Sequence, residues 1–352
     1  MQEPLSVLVI GGGPAGLSAA GDLSAIGVRV ILVEKREKLG GAPIRWNYSL
    51  LAPDLRPTGE VMDPLIAGAG SSALVDVRLN SSVTRCEGSP GSYRVEIRND
   101  RDGKTTEHKV SSIIVSTGFE HFDARVDPRY GYGRVPDVIA IHELEGMLTK
   151  GKVVRHDGRV PRRIAFIFCV GSRDKATNPW CCTVCCGVSI KQAMEVKQII
   201  KDSQLYMIYI DIRTVGQWEK LYWDSMEVYG INYIRGRVSE VYNTGEKLLV
   251  KGEDTLVRGP FEALFDMVVL AVGAEPGPGT KAIAGTLGLK LNENGFFQPA
   301  HPNLHTVSGK EGIFLAGCCV TPMSIEEALA EGSAAAMAAA KFAKKVAPQA
   351  GV

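Results

Sequence analysis

No stretch of this 352-residue sequence is apolar enough for long enough to cross a bilayer. The longest apolar tract, Ala328 to Ala340, is alanine-rich, short and interrupted by Glu331, so membrane insertion is not expected. No secretory leader is expected either, because Ser6 to Ile10 is brief and runs straight into glycines. An excess of charge is also missing: 40 Lys and Arg against 39 Asp and Glu leave a net +1, which gives no reason to expect nucleic acid as a partner. The cysteines do not form a spread-out disulfide framework. Five of the eight lie between Cys169 and Cys186, a distribution that fits a reducing cytoplasm. No low-complexity linker divides the chain. With 45 % apolar and 22 % charged residues, the length suits a soluble protein of roughly two domains.

The first forty residues carry a recognisable unit. Ser6-Val7-Leu8-Val9-Ile10 is a continuous apolar run of the kind found in a buried parallel strand. It enters Gly11-Gly12-Gly13-Pro14-Ala15-Gly16, and a helical pattern through Leu17, Ala20, Leu23 and Ile26 follows. A second strand from Val28 to Val33 ends at Glu34. Strand, glycine turn, helix and acid together form a dinucleotide-binding unit. The glycines let backbone approach a pyrophosphate, the helix N-terminus stabilises its charge, and Glu34 can bond a ribose hydroxyl.

Further along, Ile113-Ile114-Val115-Ser116-Thr117-Gly118 and Gly312-Ile313-Phe314-Leu315-Ala316-Gly317-Cys318 read as strands that end in glycine. The second leads into a helix that begins near Ser324-Ile325. Arg85 to His108 reads as a β-hairpin excursion. Strands are expected at Leu205 to Ile210, Ile231 to Arg235 and Asp266 to Val272, with a helix from Val215 to Tyr229. Residues 155–262 therefore read as an inserted α/β domain, and residues 1–154 with 263–352 as the domain that surrounds it.

The inserted region lacks a glycine fingerprint of its own. The strand Ile164 to Phe168 ends in Cys169-Val170-Gly171-Ser172-Arg173, where only one glycine remains. A pyrophosphate needs close approach from more than one, so nicotinamide binding is not expected. The loop lengthens instead to hold Cys181, Cys182, Cys185 and Cys186, and a helical pattern through Ile190, Ala193, Val196 and Ile200 leaves it. Converging thiolates can hold an iron–sulfur cluster or zinc, and Cys182 with Cys185 forms a Cys-x-x-Cys that can act as a redox dithiol. Cys181, Cys185 and Cys186 supply three cluster ligands, and Cys169 closes the set from the strand end. Cys182 is then surplus, or takes the place of Cys181.

The glycine and strand pattern resembles the FAD domain of two-dinucleotide-binding-domain flavoproteins, which implies a thioredoxin-reductase-like α/β fold with a Rossmann-type FAD domain and a smaller inserted α/β domain. Other stretches resemble the A-type subunits of heterodisulfide reductase. They are Cys169-Val170-Gly171-Ser172-Arg173-Asp174, the Cys-x3-Cys-Cys at 181, 185 and 186, Lys191-Gln192-Ala193, and Tyr209-Ile210-Asp211-Ile212-Arg213-Thr214. Ile234 to Val238 and Tyr130 to Gly133 match as well. The resemblance implies FAD held by Gly11, Gly13, Pro14, Ala15, Gly16, Glu34, Lys35, Gly41, Val83, Thr117, Gly118, Gly317, Cys318, Ser324 and Ile325. Val83 would lie in a strand from Val77 to Thr84, and Cys318 stands where the flavoproteins commonly have an acid. The resemblance further implies a 4Fe–4S cluster on Cys169, Cys181, Cys185 and Cys186, and Lys191 near the flavin N5 as the catalytic cation. Partner subunits of the B and C type, a homodimer and a cytoplasmic location follow from it too. Ala42 to Pro64 holds no cysteine, which resembles the compact heterodisulfide-reductase-like subunits of sulfur-oxidising bacteria. Two rival readings remain: a stand-alone disulfide reductase using Cys182 and Cys185, and a zinc-holding flavoprotein scaffold.

Overall fold

The computed structural model describes residues 6–346 and divides the chain into two units, each assembled from separated stretches. The first unit comprises the chain up to Arg45, Gly59–Glu120 and Glu275 onward. Its chain opens with β1 (Ser6–Ile10), α1 (Pro14–Ala25) and β2 (Arg29–Val33), followed by β3 (Val75–Arg78). Then come β4 (Ser81–Ser89), β5 (Ser92–Asn99), β6 (Thr105–Val110) and β7 (Ser112–Val115). β4, β5 and β6 form an antiparallel meander of three strands, one more than the hairpin the sequence suggested. Val83 lies in β4, opposite Ile97, because the chain turns at Asn80 between β3 and β4 and breaks the single strand expected from Val77 to Thr84.

The second unit comprises Trp46–Thr58 and His121–Ala274. It contains β8 (Val138–Ala140), α2 (Ile141–Leu148), β9 (Arg163–Val170), α3 (Cys185–Ile199), β10 (Gln204–Tyr209) and α4 (Trp218–Glu227). It continues with β11 (Asn232–Asn243), β12 (Leu248–Asp254), β13 (Gly259–Phe265) and β14 (Met267–Val272). The strand order is β8-β14-β9-β10-β11-β12-β13. The first five strands run parallel, and β12 and β13 add antiparallel pairs at one edge. β9 and β14 are buried along almost their whole lengths, as expected of central parallel strands.

This pairing shifts the domain boundaries from those the sequence suggested. Residues 121–154 belong with the second unit, because β8 pairs with β14 through Val138↔Val268 and Ala140↔Leu270. Residues 263–274 join them through β14, which pairs with β9. The link between β8 and β14 spans more than a hundred residues, and no local pattern reports it.

The chain then returns to the first unit with β15 (Ile313–Leu315) and α5 (Ile325–Val346). The first unit's sheet has the order β15-β7-β1-β2-β3, all parallel. Val7, Leu8 and Val9 at its centre are fully buried. The alanine-rich tract is explained by packing. Ala335, Ala336 and Ala339 of α5 are fully buried, and a Cβ on Gly332 would stand 2.3 Å from the Ala15 carbonyl oxygen. Small residues let α5 lie close against α1, where Ser18 donates to the Leu329 carbonyl at 2.9 Å. Among the described residues no helix is long and apolar enough to cross a membrane.

Candidate functional site

The first unit holds a cradle shaped for a nucleotide. β1 ends at Ile10 and the chain reverses through Gly11, at φ +111°, into α1. A Cβ on Gly11 would stand 2.2 Å from the Ser116 carbonyl oxygen, and one on Gly16 would stand 1.8 Å from the Gly11 carbonyl oxygen. Those two glycines are therefore required by backbone on both sides. Pro14 occupies the first turn of α1, where its missing N–H costs nothing. Gly13 faces Gly41, so the pyrophosphate side of the turn is walled by bare backbone, and Ala15 is buried behind it. Glu34, at the end of β2, accepts 2.8 Å hydrogen bonds from the Gly12 and Arg36 N–H groups. Each carboxylate oxygen keeps a further lone pair for a ribose hydroxyl. Thr117-Gly118 follows β7, and the Thr117 hydroxyl is buried with no partner among the described residues. A buried hydroxyl left unpaired costs free energy unless a ligand completes it. Glycine cradle, ribose acid and orphaned hydroxyl fit FAD.

The far side of the cradle differs in detail from expectation. Gly317 opens a short 3₁₀ turn after β15, but its N–H is already taken by the Glu331 carboxylate at 2.9 Å. Cys318 donates its thiol to the Met323 carbonyl. Ser324 caps α5 in a reciprocal box: its hydroxyl accepts from the Glu327 N–H at 3.1 Å, and Glu327 accepts from the Ser324 N–H at 2.7 Å. The Ser324 N–H is therefore engaged, while the first-turn N–H groups of Ile325 and Glu326 have no intrahelical acceptor. Lys35 follows Glu34 on the exposed rim, and Val83 is buried in β4.

The second unit holds the cysteines. β9 runs through Cys169, and Gly171 follows in the left-handed region at φ +67°, where a Cβ would collide with the Phe122 ring at 2.0 Å. The loop doubles back on itself. Ser172 Oγ and the Arg173 N–H both donate to the Trp180 carbonyl at 2.9 Å, and Trp180 Nε1 donates to the Ala274 carbonyl at 2.9 Å. Cys169, Arg173 and Thr183 are non-glycine residues at φ +59°, +57° and +64°. Such backbone persists only where its surroundings hold it, and it clusters at functional sites. α3 starts at Cys185, and the Trp218 ring from α4 covers its first turn, close enough that a Cβ on Gly187 would meet it at 2.0 Å.

Cys182 and Cys185 are joined in a disulfide, both almost fully buried. This pairing differs from the expected ligand set, in which Cys185 was a ligand and Cys182 surplus. A Cys-x-x-Cys at a helix start brings its two sulfurs within bonding reach. Cys169, Cys181 and Cys186 are free. Cys169 accepts an N–H from Arg173 Nη1 at 4.0 Å and Cys181 from the Thr183 backbone at 3.3 Å. Burial pushes the Cys186 thiol up to about 12, and the neighbouring Cys169 and Cys181 add to the rise. Burial raises the Cys169 thiol too, although Arg173 opposes it. Buried thiols of this kind are poor free nucleophiles, whereas a metal removes their protons outright. Among the described residues, no three His, Cys, Asp or Glu side chains converge as they would on one metal ion. A cubane takes one thiolate per iron, so its sulfurs stand apart at separate corners. Three free thiols, two of them with N–H donors, and a fourth released by opening one disulfide, fit that group.

Lys191, which helical periodicity alone would leave facing solvent, is 1 % exposed. Its ammonium donates to Glu145 Oε1 at 2.6 Å and pairs with Glu195 at 3.0 Å. Glu145 also accepts from Gln192 Nε2 at 2.8 Å and from the backbone and hydroxyl of Ser49 at 3.0 and 3.1 Å. Burial raises the Glu195 carboxyl, while Lys191 and Ser49 lower it. Glu145 and Ser49 carried no signal in the sequence. Glu195 did, as the i+4 neighbour of Lys191 on one helix face.

Residues 5–155 match the family described as pyridine nucleotide-disulphide oxidoreductase. The A-type subunit of the H2:CoB-CoM heterodisulfide, ferredoxin reductase from Methanothermobacter marburgensis is 32 % identical over 95 % of this chain and 63 % of its own length. The second iron-sulfur A-type subunit of the CoB–CoM heterodisulfide reductase from Methanopyrus kandleri is 31 % identical over the same shares. This chain thus spans about three-fifths of the length of these curated relatives, 63 % in each case. Among solved structures, the thioredoxin reductase of T. acidophilum superposes with a TM-score of 0.67 at 17 % identity, covering 97 % of this chain and 98 % of its own. The Lactococcus lactis thioredoxin reductase gives 0.67 at 18 % identity, covering 97 % and 99 %. The α/β fold of two-dinucleotide-binding-domain flavoproteins is therefore the fold of this chain.

Proposed function

We propose that this chain, homologous to the A-type subunits of heterodisulfide reductase along 95 % of its length, is an FAD and 4Fe–4S electron-transfer subunit of a heterodisulfide-reductase-like complex. It is an oxidoreductase subunit that exchanges electrons with B- and C-type partners, works as a homodimer, and serves sulfur oxidation in the cytoplasm. The observation that carries this reading is the set of three free thiols, Cys169, Cys181 and Cys186, two of them already provided with an N–H donor. Hydrogen bonds to sulfur are among the means by which a protein tunes a cluster. The fourth ligand is Cys185, released when its bond to Cys182 is reduced by a dithiol. When bound, FAD exchanges electrons in pairs and the cluster singly, so together they convert one mode into the other.

The chain's own residues prepare both sites. Gly11, Gly13, Gly16 and Gly41 admit the pyrophosphate to bare backbone, Glu34 orients the ribose, and the Thr117 hydroxyl awaits a polar atom of the cofactor. Lys191 is the candidate catalytic cation, and Glu145 with Ser49 and Gln192 fixes it in one position. The absence of cysteine between Ala42 and Pro64 supports a single cluster and the sulfur-oxidising setting.

The Cys182–Cys185 bond favours a second reading, a flavin-dependent disulfide reductase. One preparation separates the two. Protein reconstituted anaerobically after dithiol reduction should be brown, with flavin bands and about four irons per chain, as one cubane requires. A yellow protein that holds zinc and no iron would overturn the cluster reading, and rapid flavin bleaching by NADH would favour the reductase instead.

A further inference from the structure

Cys169 to Asp174 and Tyr209 to Thr214 lie forty residues apart in sequence. In the second unit they meet. β9 and β10 are parallel neighbours, so the connections that follow them leave the same edge of the sheet. The three left-handed residues Cys169, Gly171 and Arg173 turn the first connection back across the end of β9. Asp174 pins the turn through Arg237 at 3.2 Å and Arg129 at 3.6 Å. The Arg173 side chain is thereby brought beside the Cys169 sulfur, its Nη1 at 4.0 Å.

Arg173 is not free to swing away. Asp211, two residues beyond β10, takes its guanidinium in a bidentate pair, Nη1 to Oδ1 at 2.5 Å and Nη2 to Oδ2 at 2.9 Å. The fork-on-fork geometry fixes orientation as well as distance. Asp211 is itself steadied by Arg213 Nε at 3.3 Å. The Arg213 backbone opposes the burial-driven rise of the Cys186 thiol. One short segment thus bears on two of the three free sulfurs.

We propose that Arg173, oriented by Asp211, sets the reduction potential of the cluster by placing a fixed positive charge and an N–H on the Cys169 ligand. The inference rests on the cluster reading above. Reduction adds one negative charge to the cluster, so a cation held beside a ligand sulfur favours the reduced form. Asp211 is a positioning residue for Arg173, and its carboxylate also opposes negative charge on Cys169 and Cys186 directly. Neutral Arg173→Gln removes the charge, Asp211→Asn weakens the grip on it, and Arg173→Lys keeps a charge but loses the fork.

The test is an anaerobic redox titration of the full reconstituted chain, read by the spectrum of the reduced cluster, with iron and flavin content measured on each sample. Arg173→Gln should retain its iron and move the reduction equilibrium about tenfold toward the oxidised cluster, a lowering of about 59 mV for a one-electron couple. Asp211→Asn should move it by less, because loosening the arginine and removing a carboxylate near the same sulfurs oppose each other, and Arg173→Lys should fall between Arg173→Gln and the parent. Iron retained with the midpoint unmoved in Arg173→Gln overturns the inference and leaves the cluster reading standing. Loss of iron from Arg173→Gln and Arg173→Lys alike would assign the arginine to assembly and also overturns it. A parent protein that takes up no iron refutes the cluster reading itself, and this inference falls with it.

Discussion

Replacing Lys191 by methionine probes the buried ion group of the second unit most directly. The substitution keeps the length of the side chain and removes only the ammonium. Glu145 then retains its hydrogen bonds from Gln192 and Ser49, but both it and Glu195 lose their counter-ion in a site with almost no water. Breaking a buried pair from one side costs about 3–5 kcal/mol. The remaining donors on Glu145 place the expected loss at the lower end, about 3 kcal/mol. For a unit of this size each kcal/mol lowers the melting temperature by about 2–4 °C, so calorimetry should show a drop of about 6–12 °C. Glu145→Gln keeps the shape and most of the hydrogen bonds, and the double variant Lys191→Met with Glu145→Gln should be more stable than the two single losses summed, by at least about 1 kcal/mol. Calorimetry on flavin-matched samples would refute the reasoning if Lys191→Met cost less than about 1 kcal/mol or if the two changes simply added.

The pH dependence of stability should carry the mark of Glu195. Its folded carboxyl is raised, chiefly by burial, so the folded chain holds that proton more tightly than the unfolded chain. Stability from this group is full below the ordinary glutamate range and is lost as pH rises through the raised value, giving a downward slope that Glu195→Gln should remove. Urea titrations at several pH values that showed an equal slope in parent and variant would contradict this. In the cradle, Gly16→Ala should abolish flavin retention, because its Cβ would overlap the Gly11 carbonyl oxygen at 1.8 Å. Gly21→Ala, on the same helix with nothing within 4 Å of the added carbon, should keep the flavin and stabilise α1 by about 0.5–1 kcal/mol. Absorbance ratios of the purified variants decide it, and equal flavin content in the two would sink the assignment.

The nucleotide cradle was legible because its determinants are local. Strand, glycines, helix and Glu34 lie within about thirty residues, and the requirement for bare backbone at Gly11 and Gly16 leaves only one residue type. The boundary between the units was not legible, since the pairing of β8 with β14 leaves no periodic trace. Neither was the setting of Lys191. A helical lysine looks the same in sequence whether it meets solvent or Glu145, and the carboxylate that decides the matter comes from α2, forty-six residues earlier.

The cysteine loop lies between these extremes. Its donor types were evident from composition, but which sulfurs are paired depends on how the backbone turns at Cys169, Arg173 and Thr183, three side-chain-bearing residues in a conformation that favours glycine. A chain built only to bury cysteines as small apolar residues gains nothing from holding three such positions, each at a cost of order 1–3 kcal/mol. The turns bring N–H groups onto Cys169 and Cys181 and aim Arg173 at the first of them. A dinucleotide-binding strand of this fold would normally meet its ligand with glycines at that same edge. Here the strand ends at Cys169 instead, and backbone strain at Cys169 and Arg173 shapes the turn that glycine freedom shapes in the first unit.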